Sequence, residues 1–191
     1  MVTEKPAFLV IDMVKDYFDR NHPIPVTPFA RRLIEPINRL SRQFRKNGWP
    51  VVFATDAFQP DDFLFGGRMK PHSIIGSAGA EIVDDLERTD ADYWLPKPKF
   101  SAFFQTGLER WLRARGVTLC AVAGITTNFC VLTTVMDALC HNFKAVLLED
   151  CTAAVSDSIH QATLDSYRKN ALYPLLKVQK SIELAAEWGL K

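Results

Sequence analysis

The sequence lacks an excess of charge of either sign: 23 Lys and Arg face 22 Asp and Glu, a formal net charge of +1. A nucleic-acid binder normally carries a basic stripe, and a membrane-surface protein a polybasic segment, so both classes are disfavoured. No apolar run reaches the roughly 18 residues that a spanning helix needs. There is no Cys-x-x-Cys pair of the zinc-ribbon kind, and no Gly-x-Gly-x-x-Gly, so Gly66-Gly67 is not a nucleotide fingerprint. Eleven Pro and nine Gly in 191 residues are too few for a low-complexity chain. The opening stretch MVTEKPAFLVIDMVKD places Glu4 before its apolar run, unlike a signal peptide. Four cysteines, at 120, 130, 140 and 151, sit in a chain long enough to bury its own core, which disfavours a disulfide scaffold. The expectation is a reduced, cytoplasmic, single-domain protein over 1–191, with no nucleic-acid or membrane partner.

What is present has a regular order. Short continuous apolar runs occur at Ala7–Ile11, Val51–Ala54, Tyr93–Leu95, Leu119–Ala123, Ala145–Leu148 and Leu175–Val178. Continuous rather than alternating runs suit strands buried on both faces of a parallel sheet. Helical patterns lie between them, at Phe29–Asn47, Leu108–Arg115, Asn128–Asn142 and Ile159–Asn170. This alternation predicts an α/β fold of three layers, doubly wound, with a mostly parallel six-stranded sheet flanked by helices.

In such folds ligands bind at the carboxyl ends of the strands. Those ends carry Asp12, Asp56, Lys97, the segment Gly124–Cys130, and Asp150. The stretch Gln59–Gly79 has no clear period, and a loop of that length usually helps to shape a site.

The segment Ala121–Leu139 carries the most chemistry. A strand ends at Gly124, a Thr-Thr-Asn turn follows, and Cys130 falls in the first turn of a helix. The helix dipole and free N–H groups there favour thiolate and can hold an oxyanion. Against this, free cysteine is usually a small buried hydrophobe. Asp12 and Lys97 each follow an apolar run, where a charge is costly to bury without a partner. Asp12 could take the Cys130 proton, with Lys97 holding Asp12 ionised. A purely structural Asp–Lys pair satisfies the same spacing.

The pieces FLVIDMVKDYF (8–18), PHSIIGSAGAEI (71–82), KPKFSAF (97–103), GITTNFCVLTTVMDAL (124–139) and LLEDCTAA (147–154) occur in order over nearly the whole chain. Together they resemble the isochorismatase-like cysteine hydrolase superfamily, whose fold is Rossmann-like. The resemblance implies an Asp–Lys–Cys triad at Asp12, Lys97 and Cys130. Lys97 is preferred to Lys99 because the family lysine stands four residues before the Ser of Ser-x-Phe, here Ser101 and Phe103. It also implies a non-proline cis peptide at Ile125–Thr126, an oxyanion hole from the amides of Thr126 and Cys130, no cofactor, and a homo-oligomer, either dimer or tetramer. The presence of the cysteine favours C–N bond hydrolysis over vinyl-ether hydrolysis.

Nicotinamidases in this superfamily carry a metal on an Asp-x-His pair and a later His. Here the pair reads Asp56-Ala57-Phe58, and only His72 matches the later position. Two of three ligands make a poor transition-metal site, so no metal is expected. The nearer resemblance is to N-carbamoylsarcosine-amidase-like and ureide-cleaving members. The expected function is hydrolysis of an amide, ureide or N-carbamoyl small molecule through a thioester. The alternatives are a metal-dependent nicotinamidase-like amidase and a catalytically silent small-molecule-binding protein. Candidate pocket residues are Phe18, Asp56, Phe58, Gln59, Arg68, His72 and Phe103, with Phe63, Phe65 and Phe100 as further aromatics. Arg68 could bind a substrate carboxylate, but a solvated loop arginine is the plainer reading. Cys120 and Cys140 read as packing, Cys151 as near the crevice edge, and His22, His141 and His160 as surface residues.

Overall fold

The computed structural model describes residues 4–19, 21 and 23–190; His22 lies outside the described residues. Six strands form one sheet: β1 (Pro6–Ile11), β2 (Val51–Asp56), β3 (Tyr93–Lys97), β4 (Leu119–Ile125), β5 (Lys144–Ala153) and β6 (Leu176–Gln179). Their spatial order is β3-β2-β1-β4-β5-β6, and every pairing is parallel. Each apolar run of the sequence is therefore a strand, because the central strands are covered on both faces. On β1, Phe8 and Val10 join one core while Ala7, Leu9 and Ile11 join the other.

Helices α1 (Thr27–Arg31), α2 (Ile34–Lys46) and α6 (Ser181–Glu187) cover the first face; α3 (Leu108–Arg113), α4 (Leu132–Cys140) and α5 (Asp157–Arg168) cover the second. The single helix expected over 29–47 is two. Pro36 has no N–H to offer the Arg32 carbonyl, and its ring crowds that carbonyl, so the chain breaks at Arg32–Leu33. α5 begins at Asp157 because Ser156 caps it, its hydroxyl accepting from the Ile159 N–H at 3.2 Å. The expected helix over 128–142 opens as one wide π turn, Thr127–Val131, before α4 continues.

β5 runs five residues beyond its apolar core and shifts register against β4. Val122 faces Leu147, but Gly124 faces Thr152. The added residues include Asp150 and Cys151, and this excursion moves both away from the crevice. Asp150 instead accepts from the Ser181 N–H and hydroxyl, each at 2.7 Å, and anchors the start of α6. Cys151 is fully buried in the first-face core, not at the crevice edge.

The strand order reverses between β1 and β4, which opens a crevice at their carboxyl ends. Two backbone features sharpen the opening. Asp12 turns out of β1 with φ 53°. Gly124, paired beside Ile11, has φ 104°, and a Cβ there would lie 2.0 Å from the Ile11 carbonyl oxygen. Only glycine fits that approach.

Candidate active site

Asp12, Lys97 and Cys130 meet at the crevice. The Lys97 ammonium, with no exposed surface, lies 3.0 Å from Asp12 Oδ2 and forms a short ion pair with Asp56. It also donates to the Lys99 carbonyl at 3.1 Å. Asp12 Oδ1 accepts the Asp56 N–H at 2.8 Å, which ties the ends of β1 and β2 together. Candidate ligand atoms of Asp12, Asp56 and Cys130 all lie within 4.8 Å of one another. Lys99 is elsewhere, its ammonium 2.6 Å from both Asp62 oxygens. Asp62 in turn accepts from the Leu64 N–H and caps the short turn Phe63–Gly66.

Electrostatics follow from this crowding. Burial first, then the neighbouring Asp56 charge, raise the Asp12 carboxyl to about 7, although Lys97 pulls the other way. Burial alone would lower Lys97, but Asp12 and Asp56 outweigh it and hold the ammonium above its usual range. Burial, followed by the Asp12 charge, pushes the Cys130 thiol well above the usual thiol range. The expectation of a thiolate favoured by a helix start is thus corrected. Burial and the carboxylate neighbours outweigh the lowering effect of Lys97.

Above these groups lies a cavity of about 250 Å³. Asp12, Asp56, Thr126 and Cys130 line its floor, with Ile125 beside them, and the Ile125–Thr126 peptide is cis. Its walls come from distant segments: Ile24 and Val26 before α1, Phe58, Met69 and His72 from the β2–β3 connection, Phe100, Phe129 and Val155. The connection is held in place from β1's side. Asp16 accepts the Ser73 N–H at 2.6 Å and packs against Gly79, where a Cβ would overlap its carboxylate.

Of the expected pocket residues, Asp56, Phe58 and His72 line the cavity, as does Phe100. Phe18 does not; it is buried in the first-face core under the Arg31 guanidinium. Phe103 is buried in the second, stacked between His141 and Phe143. Gln59 and Arg68 are exposed on the connection and do not line the cavity. Phe63 is also exposed, and Phe65 packs edge-on against Phe58 at 5.6 Å. Tyr17, Ile24, Val26, Met69, Phe129 and Val155 were not foreseen as wall residues, since nothing in an apolar side chain's sequence context separates a wall from a core.

Other expectations shift as well. Cys120 is buried inside β4, but Cys140 is exposed rather than packed. His160 is half-buried and hydrogen-bonds the Thr127 hydroxyl at 2.8 Å, beside the Cys130 turn; burial lowers its pKa.

A family model for the isochorismatase domain matches residues 6–177. The chain belongs to the isochorismatase family. Within that family it is 33% identical to a probable inactive nicotinamidase from Arabidopsis thaliana, over 83% of this chain and 85% of that one. It is 29% identical to a ureidoacrylate amidohydrolase from Yersinia enterocolitica, over 90% and 82%. Its fold superposes on N-carbamoylsarcosine amidase from Thermoplasma acidophilum with a TM-score of 0.80 and 32% identity, covering 93% of this chain and 96% of that one. Among the described residues, no helix is long and apolar enough to cross a membrane.

A nicotinamidase-type metal does not fit this isochorismatase-family site. Asp56 offers one oxygen to Lys97 and the other to the Tyr17 hydroxyl at 3.1 Å. Tyr17 also meets His72 Nε2 at 2.8 Å, while His72 Nδ1 lies 2.8 Å from the Lys70 carbonyl, which can only accept. Phe58 fills the place of the missing His, its ring 5.4 Å from that of His72. The Asp12, Asp56 and Cys130 cluster is no better suited, because the Lys97 ammonium already pairs with both of its carboxylates.

Proposed function

We propose that the protein is a cysteine-dependent amidohydrolase that cleaves a non-peptide C–N bond in a small molecule through a thioester. The observation that carries this reading is the Cys130 thiol at the floor of a cavity with mostly apolar walls, beside a buried Asp12–Lys97 pair. The amidohydrolase names of its relatives support the reaction class.

The thiol is not ionised in advance. As Sγ attacks the substrate carbonyl, its proton passes to Asp12, whose carboxyl near 7 suits a base at neutral pH. The carbonyl oxygen gains negative charge and is held by the amides of Thr126 and Cys130. When the C–N bond breaks, Asp12 returns the proton to the leaving nitrogen, releasing ammonia or an amine. Water then attacks the thioester and gives a proton to Asp12. Asp12 passes it to Sγ as the C–S bond breaks, so the acid is released and the thiol and Asp12 carboxylate are restored. Lys97 keeps Asp12 and Asp56 together as anions and so preserves the base.

The test is a panel of primary amides, ureides and N-carbamoyl compounds with wild type and Cys130→Ala, followed by intact-mass analysis of quenched reactions. Turnover that disappears in Cys130→Ala, with an acyl adduct on the wild-type protein, is expected. Turnover that survives the substitution sinks the covalent mechanism.

A further inference from the structure

Which substrates the cavity accepts can be read from its walls, and this step rests on the thioester reading above. We propose that the acyl group it takes is an uncharged hydrocarbon, aliphatic or aryl, rather than the carboxylate-bearing portion of a ureidoacrylate or N-carbamoylsarcosine. Ile24, Val26, Met69, Phe100, Phe129 and Val155 form most of the walls, which Tyr17, Phe58 and His72 complete, and none of the described lining residues is Lys or Arg. The ionisable groups on the floor include two carboxylates, Asp12 and Asp56. A substrate carboxylate would lose its hydration against apolar walls, and the Lys97 ammonium below is already engaged by Asp12 and Asp56. Arg68, the one loop cation weighed for such a group, is exposed and does not line the cavity.

The same walls select against a ring nitrogen. Tyr17 and His72, the polar side chains nearest Phe58, are engaged with each other, with Asp56 and with the Lys70 carbonyl. Phe58 is fully buried and offers the cavity a ring with no hydrogen-bond donor. An apolar cavity of about 150 Å³ accepts benzene. The 250 Å³ here therefore suits an acyl chain of benzene size or somewhat larger.

Two matched pairs of amides test this: valeramide against succinamate, which adds a carboxylate, and benzamide against nicotinamide, which adds a ring nitrogen. Wild-type kcat/KM is expected to favour valeramide by roughly 100-fold and benzamide by roughly tenfold. Val155→Arg, which sets a cation in the wall, should narrow the first ratio by roughly tenfold. Thermal shift of Cys130→Ala with each amide measures binding without turnover. Succinamate handled as well as valeramide, in turnover or in binding, overturns the hydrocarbon assignment and leaves the hydrolase reading standing. Stabilisation of Cys130→Ala by valeramide but not succinamate, with no wild-type turnover of either, supports the assignment and sinks the hydrolase reading. If valeramide and benzamide are neither bound nor turned over, the assignment is overturned.

Discussion

Asp12 and Asp150 are both carboxylates set near the carboxyl ends of parallel strands, and the fold uses them in opposite ways. Asp150 has each oxygen matched by a donor of Ser181, so its charge is spent on fixing α6. Asp12 is buried between a cation, a second carboxylate and a thiol, and its Oδ2 lacks a well-aligned donor although Lys97 lies 3.0 Å away. A satisfied acid stabilises a fold. One poised between competing partners has a proton equilibrium that a substrate can exploit.

That contrast can be broken in several places. The largest effect is expected at Lys97, because Lys97→Ala leaves two buried carboxylates unpaired. Removing one partner of such a cluster costs about 3–5 kcal/mol, and urea denaturation should register it. A wild-type unfolding midpoint would contradict the electrostatic account. Next, Asp12→Asn should lower kcat/KM by about 10²–10⁴-fold while the circular dichroism spectrum is unchanged. Asp150→Asn should do the reverse, leaving kcat within about twofold and costing about 1–2 kcal/mol of stability as a weakened helix anchor. Equal kinetic damage from both substitutions would erase the distinction. The pH profile gives a milder test. Asp12 must be ionised to accept the thiol proton, so kcat/KM should fall as pH drops through about 7 and level off above it. The inflection should stay in place in Asp150→Asn.

The strands and the convergence of Asp12, Lys97 and Cys130 were legible because a doubly wound sheet leaves its central strands apolar throughout and marks their ends with polar residues. The break at Arg32–Leu33 was legible too, had Pro36 been given its weight. Other features were hidden for physical reasons. The excursion of β5 depends on its register against β4, a property of two strands that neither carries alone. The Cys130 thiol was misjudged because its position in a turn is local, whereas burial and the Asp12 charge come from the tertiary fold. The cavity walls were least visible, since Ile24, Val26 and Val155 reach the crevice from segments far apart in the chain.

The left-handed backbone at Asp12 also decides which experiments at that position mean anything. Asp and Asn tolerate such a conformation through their short polar side chains, whereas Ala pays for it with Cβ crowding. Asn therefore removes the base and keeps the bend, while Ala disturbs both at once, and glycine keeps the bend but loosens the chain before folding. Because Gly124 lies within β4 directly beside Ile11, a change at either bend reaches the other through the backbone of Ile11. The two bends meet as one joint, so a library scanning this crevice should hold Gly124 fixed while it varies position 12.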